Sequence, residues 1–126
     1  MEKSAELEAI FERLSVIMRQ FEGDLVVKAR EADNYYLETS SVAKNKKPMF
    51  FGAVQVKKNQ VSYHLMPVYV FPELLEGMSE KLAKRMQGKS CFNFKSVDEE
   101  AIEELAGLTE KSFEQFKQAG YVKPLS

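Results

Sequence analysis

The sequence predicts an α+β fold, a two-layer sandwich with an N-terminal helix, an antiparallel sheet of four to five strands, and C-terminal helices. Three observations predict it. Apolar residues recur every three or four positions near the N-terminus, and short runs rich in β-branched and aromatic residues follow them. Helical patterns then return after Ser96. With 126 residues, 44% of them hydrophobic and 29% charged, the chain is predicted to form one domain over residues 1–126.

The charge balance limits the classes of partner. Eighteen basic and 19 acidic side chains give a net charge of -1, so an anion site has to be local and nucleic acid is not favoured as a partner. The one cysteine, Cys91, cannot form an internal disulfide and favours a reducing compartment. Residues 1–18 lack the apolar segment of a signal peptide, and no run approaches the ~20 apolar residues of a membrane span. We therefore expect a cytoplasmic protein without a membrane partner.

The first element is predicted to be an amphipathic helix, with Ser4 as its N-cap and Gly23 as its stop. A stripe of apolar residues defines one face of this helix: Leu7, Ile10, Phe11, Leu14, Ile17, Met18 and Phe21. We interpret the stripe as the cover of the sheet, because the strands that follow need one. A membrane-surface or partner-binding helix would use the same stripe.

Strands are predicted for residues 25–31 and 35–40, followed by a basic loop over 42–48 that we interpret as a solvated connection rather than an anion-binding loop. The clearest hairpin joins strands over 49–57 and 60–66. Within it, Gly52 indicates a bulge or a close approach of two backbones.

Strand alternation predicts which side chains of the hairpin are buried. Val61, Tyr63 and Leu65 should face the core, whereas the side chains of Ser62, His64 and Met66 should face a hollow shared with residues 85–93. The next residues, 68–71, lie between two prolines and are predicted to be extended.

The C-terminal part is predicted to hold a short helix over 79–87 with the serine at its start as N-cap, a strand over 91–94, and then helices. Residues 96–99 (Ser-Val-Asp-Glu) form a capping box for the first of these helices. Gly107 and Thr109 predict a break, so a separate last helix is expected.

Several rare or charged residues concentrate between Val61 and Phe94 and form the predicted ligand site. It consists of Ser62, His64, Tyr69, Arg85, Lys89 and Asn93. The basic run that includes Lys81, Lys84, Arg85 and Lys89 is usually a solvated face, but it could also bind a carboxylate or phosphate. The glycine spacing of a phosphate loop is absent.

Catalytic residues, a metal site and a cofactor are not predicted. His64 is the only histidine, and no convincing nucleophile or orienting carboxylate accompanies it. A strand histidine is more often a hydrogen-bonded structural residue, and Cys91 is interpreted as a buried inert thiol. The acidic run over 98–104 suits a helix N-terminus, although it could also supply oxygen ligands for a hard cation.

Two segments suggest a family. Val61–Tyr69 (VSYHLMPVY) and Met86–Phe94 (MQGKSCFNF), with the closing helix, resemble the YdhG-like group of small bacterial domains of unknown function. The resemblance covers roughly residues 48–120. It implies a secretion-chaperone-like fold, in which a helix precedes a curved antiparallel sheet with helices packed on one side. Some relatives of that family are described as frataxin-like intracellular iron chaperones, but the family offers no ligand motif to transfer.

The sequence thus predicts a non-enzymatic binding domain for a small anionic ligand or a peptide segment. One alternative is a frataxin-like iron chaperone that uses carboxylates of the first or last helices, which are Glu8, Glu12, Asp98, Glu99 and Glu103. The other is a homodimeric interaction protein that pairs through an edge or the open face of the sheet.

Overall fold

The structure, a computed structural model, describes residues 2–31, 33–39, 50–88 and 90–119. It has the predicted α+β architecture, with helices packed on one face of an antiparallel sheet. The helices are α1 (Glu2–Arg19), α2 (Met66–Val70), α3 (Glu80–Ala83) and α4 (Glu99–Gln118). The strands are β1 (Leu25–Glu31), β2 (Asn34–Thr39), β3 (Phe50–Val56), β4 (Val61–Leu65), β5 (Met86–Gln87) and β6 (Cys91–Phe94). Short 3-10 turns occupy Glu22–Asp24 and Pro72–Leu75.

The described residues form a sheet of six strands in the order β1-β2-β3-β4-β6-β5, rather than the four to five expected. The additional strand is β5, which was predicted to be the end of a helix. Gly88 has a φ of +81°, a left-handed conformation that favours glycine, and it lies in the turn that leads β5 back along β6. The chain therefore leaves α3 after one turn and pairs Met86 with Phe92.

The core lies between the sheet and the pair α1 and α4. The predicted stripe of α1 is buried there, with Ile10, Leu14 and Met18 fully covered. Ser4 lies inside α1 rather than before it, and Gly23 lies in a 3-10 turn after the helix has ended. These two predicted boundaries were wrong, because the helix extends further at its start and ends earlier than its capping residues suggest.

A bulge in β3 divides its aromatic residues between the two faces of the sheet. Leu37 pairs with Gly52 and Glu38 with Phe50, so Phe51 is the extra residue. The ring of Phe51 packs edge-on against Phe113 and Phe116 of α4, on the helix side. The ring of Phe50 stacks on Tyr36 on the open face. Both predictions for Gly52, a bulge in the strand and a close approach of two backbones, are confirmed.

The segment after β4 is helical, so the prediction of an extended piece over 68–71 was wrong. Pro67 lies in the first turn of α2, where its missing N–H costs no hydrogen bond and its fixed φ suits a helix. Met66 consequently begins a helix and packs against the core instead of facing outward from a strand.

The C-terminal helices predicted after residue 96 are one continuous helix, α4. Its N-cap is Asp98, whose Oδ1 accepts a hydrogen bond from the N–H of Ala101 at 3.3 Å, and not Ser96. Gly107 does not break the helix, because the neighbouring turns bury Leu105, Leu108 and other apolar residues against the sheet. Their burial outweighs the ~1 kcal/mol by which a helical glycine is less favourable than alanine.

Among the described residues, every helix is too short or too polar to span a bilayer.

Candidate anion-binding site

A cleft of about 890 Å³ opens where α3, β5 and the end of β6 meet the loop that leads into α4. We call it the basic cleft. Its walls are formed by Gln60, Ser79, Glu80, Lys81, Lys84, Arg85, Met86, Gln87, Asn93, Lys95 and Asp98. Four of these side chains are cationic and two are carboxylates, so the cleft is locally positive in a chain whose net charge is only -1.

Arg85 is held in place by the fold. Its Nη2 donates a hydrogen bond to Oδ2 of Asp98 at 2.8 Å, and its guanidinium lies 4.7 Å from the centre of the Phe94 ring. Only 21% of the side chain is exposed. Its Nε is buried and has no hydrogen-bond partner within the described part of the chain. A cation fixed in this way loses little rotamer freedom when it meets an anion.

Lys84 and Lys95 carry the uncompensated charge of the cleft. Within the described part of the chain neither ammonium forms an ion pair or a hydrogen bond. Lys81 differs from them, because its Nζ lies 3.5 Å from Asp98 and 3.3 Å from Glu100. Asp98 is therefore already engaged by Arg85 and Lys81, and the other two lysines are left for a ligand.

Amide groups add directional hydrogen-bonding groups beside these cations. Asn93 donates from Nδ2 to Oε1 of Gln87 at 2.6 Å, and its Oδ1 accepts from the hydroxyl of Ser62 at 2.7 Å. The Cys91 thiol lies 3.5 Å from the same oxygen. Asn93 thus connects the basic cleft with the open face of the sheet.

His64 lies on that open face and not in the cleft. It is the strand partner of Cys91, so these two residues are neighbours across β4 and β6. Its ring centre is 6.4 Å from that of Phe50. Burial, with a smaller contribution from Lys57, lowers the pKa of His64, and burial raises the pKa of Cys91. Both shifts favour the neutral side chains, which suits a structural role better than a nucleophile with its base.

The structure brings together only part of the predicted ligand site. Arg85 and Asn93 line the cleft, whereas Ser62 is 3% exposed and reaches it only through its hydrogen bond to Asn93. Tyr69 is 53% exposed on α2 and does not line the cleft. Lys89 lies outside the described residues.

Sequence reasoning missed Lys95, Gln60 and Asp98 as lining residues. Lys95 directly follows the aromatic strand β6, and a cation at that strand end is the signal that was available. The sequence pattern of Asp98 indicates a capping box and an acidic run. It caps α4 and also neutralises Arg85.

The carboxylates considered for iron are partly engaged by arginines. Glu12 forms an ion pair with Arg19, and Glu99 forms one with Arg13. Asp98 is engaged by Arg85. Among the described residues, no group of three or more histidine, cysteine, aspartate or glutamate side chains is placed to hold a metal ion.

The Arg85–Asp98 pair predicts a specific pH dependence. The hydrogen bond from Arg85 holds the pKa of Asp98 below its ordinary value. The stability that this pair contributes is therefore present above about pH 4 and is lost as the pH falls through the lower folded pKa. In an NMR titration, we expect Arg85→Gln to move the Asp98 midpoint upward and Arg19→Gln to leave it unchanged. An unmoved midpoint in Arg85→Gln would contradict the assignment.

Compared with protein-family models, with curated proteins and with solved structures, the chain shows no match. The chemistry of the basic cleft is therefore the basis on which a function is assigned.

Proposed function

We propose that this chain is a binding domain that holds a small anionic ligand in the basic cleft and carries out no reaction on it. The observation that supports this most strongly is the pair Lys84 and Lys95. Both line the cleft, and neither has a carboxylate partner within the described part of the chain. Four cations beside two carboxylates leave the cleft with a net positive charge, and a bound anion reduces the repulsion among these cations.

The other lining groups fit the same ligand class. Arg85 is already oriented, and planar guanidinium groups suit carboxylate and phosphate oxygens. Gln60, Gln87 and Asn93 offer amide groups that can orient a polar ligand. The volume of about 890 Å³ lies within the range of small-molecule sites. The shared chemistry is a phosphate or carboxylate group, carried by a small molecule or by an acidic peptide segment.

The protonation states of the Cys91 thiol and the His64 imidazole support a binding role rather than a catalytic one. The pKa of Cys91 is raised by burial and that of His64 is lowered, so neither is poised as a thiolate or as an imidazolium. The hydrogen bond of the Cys91 thiol goes to Asn93. A cytoplasmic location is part of the proposal, supported by the single, free cysteine.

Membership of the YdhG-like group also stays a proposal. The packing of helices on one face of an antiparallel sheet is the fold that the resemblance implies. The homodimer alternative has one supporting observation, which is that Val26 on the edge strand β1 is 41% exposed.

Calorimetric titration tests the proposal with pyrophosphate, inorganic phosphate and citrate as probes. We expect at least one of them to bind. We expect Lys84→Ala and Lys95→Ala each to weaken that binding by about tenfold or more, the value of a hydrogen bond to a charged group. Lys58→Ala and Lys117→Ala remove equal charge from exposed positions outside the cleft and serve as controls. Absence of binding by all three anions, or equal losses in the controls, would refute the proposal.

A further inference from the structure

A second hollow lies on the other side of α3, along α4, and its chemistry is opposite to that of the basic cleft. Two adjoining depressions of about 300 and 510 Å³ share Leu74, Gly107 and Lys111. Together they run from Glu104 to Gln118, and we call them the acidic groove. At 1.5 Å per residue this stretch of α4 is about 21 Å long, the length of roughly four helical turns.

The floor of the groove is apolar. Leu82 of α3 and Leu108 of α4 are buried beneath it, and Leu74 and Met78 are half-buried along one wall. Leu82 is fully covered, whereas Leu74, Met78 and, to a small extent, Leu108 pack on the core and still present part of their surface to the groove. A partner that supplies apolar side chains would bury this surface without rearranging the core.

Gly107 lies at the middle of the groove and keeps it open. It is exposed in the interior of α4, and a Cβ built there would meet nothing within 4 Å. Alanine would favour the helix more at this position. What glycine offers instead is a bare backbone surface, which allows a second segment to approach α4 closely.

The rim of the groove determines the charge of the partner. Among the described residues along it, four carboxylates accompany one ammonium group, that of Lys111. Glu104 accepts hydrogen bonds from Ser79. Glu76, Glu110 and Glu114 form no ion pair within the described part of the chain. A cationic segment therefore complements the rim, whereas an anionic lipid surface would be repelled.

We propose that the acidic groove binds a basic amphipathic segment of a partner protein, with its apolar face on Leu74, Gly107 and Leu108 and its lysines or arginines beside the glutamates. Such a segment presents apolar anchors at helical spacing, and the length of the groove matches a helix of about 14 residues. The site is distinct from the basic cleft and does not depend on the ligand proposed for it, because Leu82 faces the groove while Lys81 and Lys84 line the cleft.

The probe is a fluorescein-labelled helical peptide of leucine and lysine, amphipathic and about 18 residues long. Its comparators are the same peptide with glutamate for lysine and a scrambled peptide of equal composition. Anisotropy at physiological salt should show binding of the leucine–lysine peptide and at least tenfold weaker binding of both comparators. Equal binding of either comparator would overturn the proposal.

Amino-acid substitutions test whether the peptide binds in the acidic groove. We expect Gly107→Leu, which fills the groove, and the double variant Glu110→Lys/Glu114→Lys each to weaken peptide binding at least tenfold. The control Glu8→Lys/Glu31→Lys makes the same charge change at exposed positions elsewhere and should change it less than twofold. The melting temperature of Gly107→Leu should not fall, since the new side chain enters open space. Unchanged peptide binding in Gly107→Leu would overturn the proposal.

Two other occupants give different results. Phosphatidylglycerol vesicles that bind the protein but not Gly107→Leu would replace a partner segment with a membrane. A dimer that Gly107→Leu dissociates, measured by sedimentation, would replace it with a second copy of the chain.

Discussion

A Gly52→Ala protein is expected to lose about 1–3 kcal/mol of its free energy of unfolding, the usual cost of overpacking a core. A Cβ at residue 52 would collide with Cε of Met18 and would lie 2.8 Å from the carbonyl oxygen of His64. The methionine end can move aside. The carbonyl belongs to the neighbouring strand β4, so relieving that contact requires the two strands to move apart. Gly52→Val should cost still more.

Urea denaturation measures this loss, and Gly107→Ala is the matched control. Its Cβ meets nothing within 4 Å in the middle of α4, so alanine should raise the free energy of unfolding by up to about 1 kcal/mol. Opposite signs for the two substitutions are the expected result. A Gly52→Ala protein as stable as the parent would show that β3 and β4 do not approach as closely at residue 52 as described.

Tyr63→Ala is expected to destabilise the protein by about 3–5 kcal/mol, because it empties a large, fully buried site. The hydroxyl of Tyr63 lies 2.6 Å from Oγ1 of Thr109, which itself donates to the carbonyl of Leu105 at 2.8 Å. Since the threonine gives its one proton to Leu105, Tyr63 is the donor to Thr109. Tyr63→Phe should therefore cost only about 1 kcal/mol, the value of one hydrogen bond.

Burial raises the pKa of Tyr63, so this residue also makes the free energy of unfolding depend on pH in the alkaline range. Above about pH 10 the unfolded chain loses the phenolic proton while the folded chain keeps it, so stability falls as the pH rises. Each such tyrosine steepens the fall by about 1.4 kcal/mol per pH unit. Urea unfolding at alkaline pH should show a shallower fall of stability with pH in Tyr63→Phe than in the parent protein. Equal slopes in the parent and Tyr63→Phe would contradict this.

The elements that the sequence predicted well are those whose burial follows from local periodicity. The stripe of α1, the bounds of β1 and β6, and the inward side chains of β4 (Val61, Tyr63, Leu65) all agree with the structure. In each case a period of 3.6 or 2 separates the buried side from the exposed side within a few residues. The α+β class follows, because these elements need one another as cover.

The wrong predictions concern residues that are compatible with two different conformations. The two prolines predict an extended chain over 68–71, yet Pro67 lies in the first turn of α2. Gly107 predicts a break in the helix, yet it lies inside α4 because its neighbours are buried. The local sequence alone does not determine whether the chain is helical at these two residues. The packing of the surrounding turns determines it.

The candidate site was only partly predictable for a different reason. Lys84 and Lys95 meet in one cleft because β5 and β6 fold back on each other through the turn at Gly88. That hairpin depends on a two-residue strand that carries almost no pattern of its own. The sequence analysis groups His64 and Tyr69 with these residues because they are near in the chain. In the structure His64 lies on the open face of the sheet and Tyr69 lies exposed on α2, so neither lines the cleft.

The most direct test of the basic cleft is a titration of isotope-labelled protein with pyrophosphate, followed residue by residue by NMR. The proposal predicts saturable shifts that are largest at Lys84, Arg85, Gln87 and Lys95, with the amides of α1 unmoved. Shifts centred on the open face around His64, or spread evenly over all exposed lysines, would contradict it.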